Sequence, residues 1–286
     1  MMLFALIFMT SAFTNEPVSQ KMEKEMKDHN TFNDKISPIG IDRLRLLTIK
    51  YFDFDGKENI GQMVVLDACA DEVLEIFKEL YKVKFPINKI CLMHTYNGDD
   101  NASMDDNNTS CHNCRDIAGK KTISLHAYGA AIDINPIQNP FVEFDEDHIT
   151  SSYNPKKGMA YANRLVERVG KTKRVGMAEE VISVFAKHGF YYWGGYWDTP
   201  IDYQHFQLSR SMAKLYSIMD PKSAAKMFLY TRDYFNKHKV PMEEALETEI
   251  KNQDQNSDIV DFYSKNPNAF NKIVDILVKR TSKNKL

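Results

Sequence analysis

The chain reads as an α+β protein, an antiparallel sheet flanked by helices with a helical extension at its C-terminal end. Three observations predict this. Strand-like alternation runs on both sides of "DFDGKENIG" within "RLRLLTIKYFDFDGKENIGQMVVL". A run with helically spaced apolar residues follows at once, and short apolar strands come later, punctuated by Gly and Pro. After about residue 210 the character changes to helical segments rich in Lys and Glu, such as "PKSAAKMFLYTRDYFNKH".

Taken in order, residues 1–14 ("MMLFALIFMTSAFT") read as a signal peptide: an apolar run, then small residues, then polar sequence. No Lys or Arg precedes the run, so a buried terminal helix or strand is the competing reading. Residues 15–38 are charged and polar and read as a linker or loose helix. The Asp-Gly pair and second Gly of "DFDGKENIG" mark a hairpin connection. In "CADEVLEIFKELYKVKF" Val73, Ile76, Phe77, Leu80 and Tyr81 fall at helical spacing, with Asp71 and Glu72 near the start, and Pro86 closes the run. "INKICLMHTY" is the next strand, residues 97–110 are a loop, and "AAIDIN" is a short buried strand. Met177 to His188 is a helix that exits at Gly189. "FYYWGGYWDTPIDYQHFQL" turns at its Gly pair and at Pro200 and ends as a strand. The expected division is 1–14, 15–38, a main domain over 39–210, and an extension over 211–286.

Composition narrows the function. A chain of 286 residues with formal net charge -2 offers no basic footprint for nucleic acid. No segment has the length of a membrane span, which needs roughly 20 apolar residues. The cysteines Cys69, Cys91, Cys111 and Cys114 permit two disulfides in an exported protein. "CHNC" reads as a local disulfide or free thiols, because a structural zinc site needs a second ligand pair and none is obvious.

Two short pieces carry chemistry: His126-x-x-Gly129-x-Ala131-x-Asp133, and Asp202-x-x-His205. A buried Asp133 needs a neutralising partner, since an unpaired carboxylate costs several kcal/mol. An Arg, a proton or a metal ion would serve, and a salt bridge to Arg115 is the plain structural alternative. Two imidazoles, one carboxylate and a spare carboxylate are also the inventory of a catalytic zinc site. Residues seven apart on a straight strand face opposite sides, so Gly129 must let His126 fold back. Thr199-Pro200 places Asp202 at a strand entrance and His205 inside the strand. A second ligating carboxylate would cancel the charge that makes the ion a Lewis acid, so Asp202 suits a proton-accepting role. His29, His94, His148, His188 and His238 read as hydrogen-bonded core or surface residues; His112 is left open.

"SLHAYGAAIDINPIQNP" and "YYWGGYWDTPIDYQHFQL" resemble the D-alanyl-D-alanine carboxypeptidase family of zinc peptidases, in the branch that includes L-alanyl-D-glutamate endopeptidases. The resemblance extends over about residues 40–210. It implies the fold of zinc D-Ala-D-Ala peptidases and Hedgehog-like proteins. It also implies that His126, Asp133 and His205 bind one Zn2+ ion, that Asp202 is the catalytic base, and that Arg115 holds or polarises substrate. Ser124 is either a turn residue or a partner that orients a ligand. The implied substrates are peptidoglycan stem peptides, and the implied location is periplasmic or extracellular. Trp193 and Trp197 with Tyr191, Tyr192 and Tyr196 line a substrate groove or pack in the core. The "CHNC" sulfurs and the helices after Arg210 depart from the family pattern. A zinc-stabilised wall- or protein-binding module without hydrolytic activity is the alternative, and residues 211–286 are a candidate surface for an unknown partner.

Overall fold

The computed structural model describes residues 13–117, 119–146 and 149–283. Residues 1–12 of the signal peptide expected over 1–14, and His148, lie outside the described residues, while Thr14 of that span opens the first strand.

The chain begins with β1 (Thr14–Pro17) and α1 (Gln20–Asp28), then the hairpin strands β2 (Leu44–Phe52) and β3 (Glu58–Leu66). β1 lies antiparallel on β2, pairing Thr14 with Thr48 and Pro17 with Arg45. Residues 15–38 are therefore packed against the body of the protein, with Met26 and Phe32 in its core. Their polar composition hid this, because a few apolar residues suffice to seat a helix whose other faces stay solvated. The β2–β3 connection is closed by Asp53, whose Oδ1 accepts from the amides of Asp55 (3.0 Å) and Lys57 (2.9 Å).

Helix α2 (Ala70–Lys82) buries Val73, Ile76, Phe77 and Leu80 against the hairpin. Each such side chain contributes about 1.5–3 kcal/mol of transfer free energy. The expected strand over "INKICLMHTY" is short: only β4 (Lys89–Ile90) is extended, and Met93–Tyr96 form a 3-10 turn. Next come α3 (Asp100–Asp105), β5 (Asn108–Thr109), β6 (Ala131–Asp133), β7 (Phe141–Phe144) and β8 (Ser151–Asn154). Beyond them are α4 (Ile182–Lys187), β9 (Tyr192–Trp193), β10 (Ile201–Asp202) and β11 (His205–Gln207). The small antiparallel sheets run β1-β2-β3, β10-β7-β8 and β6-β11-β9, so the fold is α+β.

Helices α5 (Arg210–Ile218), α6 (Pro221–His238), α7 (Met242–Lys251), α8 (Ile259–Lys265) and α9 (Pro267–Lys283) follow. Their apolar residues share one continuous core with the sheets. Arg43, just before β2, clamps the junction: it pairs with Asp67 and donates to the carbonyls of Tyr216, Ser217 and Met219. The phenols of Tyr191 (2.9 Å) and Tyr192 (3.0 Å) both donate to Glu243 of α7, a buried carboxylate.

Candidate metal centre

His126 sits in a 3-10 turn, Leu125–Tyr128, that Ser124 caps by accepting from the His126 amide (3.2 Å). Ser124 thus orients the residue through its backbone. Gly129 ends the turn at φ +64°, and a Cβ there would lie 2.6 Å from the Leu66 nitrogen of β3. Only glycine meets both demands. The turn reverses the chain, so the next strand, β6, brings Asp133 back to His126.

Strand β11 pairs antiparallel with β6, and His205 stands directly opposite Asp133. Asp202 and His205 do not share the single strand expected of them. Asp202 ends β10, which pairs with β7, and a turn at Tyr203–Gln204 separates it from β11. That turn removes the alternation that would have put residues three apart on opposite faces. Gly194 lets this segment close up, since a Cβ there would meet the Asp202 carbonyl oxygen at 2.5 Å.

His126, Asp133 and His205 each offer a ligand atom, and these atoms lie within 4.8 Å of one another. His126 Nε2 is 3.2 Å from Asp133 Oδ2, and His205 Nδ1 is 2.9 Å from Asp133 Oδ1. The two ring nitrogens are 3.3 Å apart. The opposite edge of each ring is also fixed. His126 Nδ1 donates to the Cys111 carbonyl (2.6 Å), and His205 Nε2 donates to Gln207 Oε1 (2.8 Å). A carbonyl oxygen can only accept, so each outer nitrogen carries the proton and each inner one keeps its lone pair.

Two lone pairs and a carboxylate facing one another at this range need a cation among them. With metal–ligand bonds of about 2.0–2.1 Å, donors on one tetrahedral zinc lie roughly 3.3 Å apart. The observed 2.9–3.3 Å separations fit that group. If a proton alone supplied the charge it would sit on His205: burial opposes it, but the hydrogen bond and charge of Asp133 outweigh burial and raise the imidazole to about 9. Burial likewise opposes the charge on Asp133, yet the two imidazoles hold its carboxyl well below the usual range.

Asp202 stands beside this trio. Burial raises its carboxyl to about 6, with the His205 and Asp133 charges acting in opposite directions. Its Oδ1 is buried and without a hydrogen-bond partner among the described residues.

Arg115 is half-buried. Its carboxylate partner is Asp100, not Asp133 or Asp116, though the guanidinium also donates to the Asp116 carbonyl (3.1 Å). Its own carbonyl accepts from the Ser124 amide (3.0 Å), which ties it to the turn that carries His126.

The "CHNC" segment frames the centre. Its two cysteines, like Cys69 and Cys91, are free thiols, and Cys111 acts through its carbonyl. Burial pushes His112 down to about 3, so its ring is neutral. The aromatics divide. Trp193 is buried and donates to the Tyr203 carbonyl (2.8 Å), whereas Trp197 is 37% exposed with its ring 5.6 Å from that of His205. Sequence reasoning missed Gln207, although it lies two residues beyond His205 and so on the same strand face. It also missed Cys111, whose contribution is a backbone group and leaves no side-chain signal.

No curated protein and no solved structure matches the chain. A family model described as D-alanyl-D-alanine carboxypeptidase matches residues 118–208, the span that holds His126, Asp133, Asp202 and His205. Over this segment, less than half of the chain, the sequence is similar to the D-alanyl-D-alanine carboxypeptidase family, which at family level supports a peptidase acting on cell-wall peptides.

Proposed function

We propose that the protein is an exported zinc metallopeptidase that hydrolyses peptide bonds in bacterial peptidoglycan stem peptides, of the D-Ala-D-Ala carboxypeptidase or L-Ala-D-Glu endopeptidase type. The observation that carries this reading is the convergence of His126 Nε2, His205 Nδ1 and the Asp133 carboxylate at 2.9–3.3 Å, with both histidine tautomers fixed from behind. These three residues would hold the ion. When bound, zinc supplies a Lewis acid and lowers the pKa of water toward about 7.

Asp202 is the proposed general base. Its buried, unpartnered Oδ1 is free to take a proton from the attacking water and return it to the leaving amine. A carboxyl raised toward neutrality by burial is suited to both transfers. Arg115 is the proposed substrate-orienting cation, through a substrate carboxylate or the developing oxyanion. Asp100 already holds its Nε edge, so such a contact uses the terminal nitrogens. Trp197, exposed against His205, would form one wall of the substrate cleft.

The test is hydrolysis of intact muropeptides by the purified chain, with and without chelator, reading new termini by mass spectrometry. Release that stops with chelator and returns with zinc is expected. Chelator-insensitive release, or stoichiometric zinc with no release, would overturn the reading; the second result would favour a zinc-stabilised binding module.

A further inference from the structure

Between β8 and α4 the chain makes a long excursion over residues 155–176, "PKKGMAYANRLVERVGKTKRVG", containing seven Lys or Arg and one acid, Glu167. This concentration stands out on a chain whose formal net charge is -2. Arg164 is neutralised by Glu179 (2.6 Å), and Lys173 lies 3.8 Å from Glu167. Lys156, Lys157, Arg168, Lys171 and Arg174 have no carboxylate at ion-pair distance among the described residues. The same segment holds apolar side chains out to solvent: Met159 is 60% exposed, Leu165 63% and Val169 fully exposed.

We propose that residues 155–176 are a docking surface for an anionic phospholipid bilayer. Charge complementarity selects an anionic partner, and the apolar side chains select among anionic partners. A soluble polyanion gains nothing from Leu165 or Val169, whereas a bilayer takes such groups into its headgroup–acyl boundary while flanking Lys and Arg reach the phosphates.

The excursion is folded back on itself. Arg174 donates to the carbonyls of Ala160 (2.8 Å) and Asn163, and its amide bonds to the Val166 carbonyl (2.9 Å). Arg164 anchors its base to the metal centre's surroundings: it donates to Gln138 O (2.6 Å) and Asn139 Oδ1 (2.8 Å), and lies 4.2 Å over the ring of Tyr203, the neighbour of Asp202. Docking here would hold the cleft at a fixed height above the membrane.

The test is co-sedimentation of the full chain with vesicles of phosphatidylcholine alone and of phosphatidylcholine with phosphatidylglycerol. An apolar N terminus would bind both, so the phosphatidylglycerol dependence and the loop variants carry the result. Binding at least about tenfold stronger to the anionic vesicles is expected, falling about tenfold in Leu165→Asp/Val169→Asp and in Lys156→Glu/Lys157→Glu/Lys171→Glu. Unchanged thermal unfolding and unchanged hydrolysis of a soluble muropeptide should accompany both variants. The single Val169→Ser, altering one fully exposed side chain, serves should the double variant misfold, and a weaker loss is then expected. Equal binding to both vesicle types, or no effect of the apolar substitutions, would overturn the proposal. Release of the vesicles by inorganic polyphosphate with the apolar variants unaffected would instead identify a soluble polyanion. The vesicle-binding and thermal-unfolding readouts do not depend on the peptidase reading.

Discussion

Two buried clusters of histidine and carboxylate among the described residues are built oppositely. Around His126, Asp133 and His205, two imidazoles share one carboxylate, and each outer ring nitrogen is bonded to an oxygen that can only accept. Around His188, one imidazole lies between two carboxylates, with Nδ1 2.6 Å from Glu72 and Nε2 3.1 Å from Glu79, and Arg232 closes on Glu72. In the first, lone pairs converge and call for a cation. In the second, both ring nitrogens donate and the protein supplies its own cations. Burial works against the charged His188 ring, but the hydrogen bonds to Glu72 and Glu79 raise it above its ordinary value. The lesson is that the ratio of imidazoles to carboxylates, and what lies behind each ring, separates a candidate metal centre from a structural ion-pair network.

The sharpest break in this comparison is His126→Ala. Stoichiometric zinc should be lost by elemental analysis and turnover should fall to background, while circular dichroism stays native. Asp202→Asn comes next: zinc should be retained and turnover should fall by about 10²–10⁴. Loss of the metal in that variant would move Asp202 into the ligand set. At the other cluster, Glu72→Ala should leave zinc content unchanged and cost about 3 kcal/mol of stability in urea titration, because it leaves His188 and Arg232 short of a buried partner.

A smaller effect comes with pH. His188 is raised, so its contribution is complete below its unfolded value of about 6.5 and is lost as pH rises through the higher folded value. Glu72, though burial opposes its charge, and Glu79, through its bond to Lys187, are lowered. Their contributions are present above an unfolded value of about 4.3 and are lost as pH falls through the folded ones. Thermal midpoints should peak between these limits, and Glu72→Gln should flatten the profile. A profile unmoved by Glu72→Gln would show the cluster to be energetically idle.

The helices after Arg210 bear on how far the two clusters depend on one another. Glu72, His188 and Arg232 join α2 and α6, and Arg43 and Glu243 tie α5 and α7 to the sheets. Expected as an appendage, this region shares the core. Removing residues 211–286 would strip Met212, Leu215 and Phe228 from that core and uncover partners such as Phe190, whose ring lies 6.5 Å from that of Phe228.

Much of this was legible in the sequence. Alternation marked β2 and β3, and the 3.6-residue period marked α2, because both patterns follow from local geometry. The convergence of His126, Asp133 and His205 was legible through the spacing around Gly129 and the motif resemblance. The packing of residues 15–38 was not, since few apolar residues stand among many charged ones there and the pairing of β1 with β2 joins segments about 30 residues apart. Nor was the partner of Arg115: Asp100 lies in a run of Asn and Asp that reads as solvated loop, and only the fold shows which acid meets the guanidinium.

By itself, then, the sequence determined the kinds of donor present, the α+β class and the turn that glycine permits at position 129, all set by side-chain chemistry and short-range backbone geometry. Tertiary structure alone decided that the Cys111 carbonyl and Gln207 fix the two tautomers, that Asp202 and His205 lie on separate strands, and that the last helices complete the core. Those outcomes rest on contacts between residues distant along the chain, which no local pattern encodes.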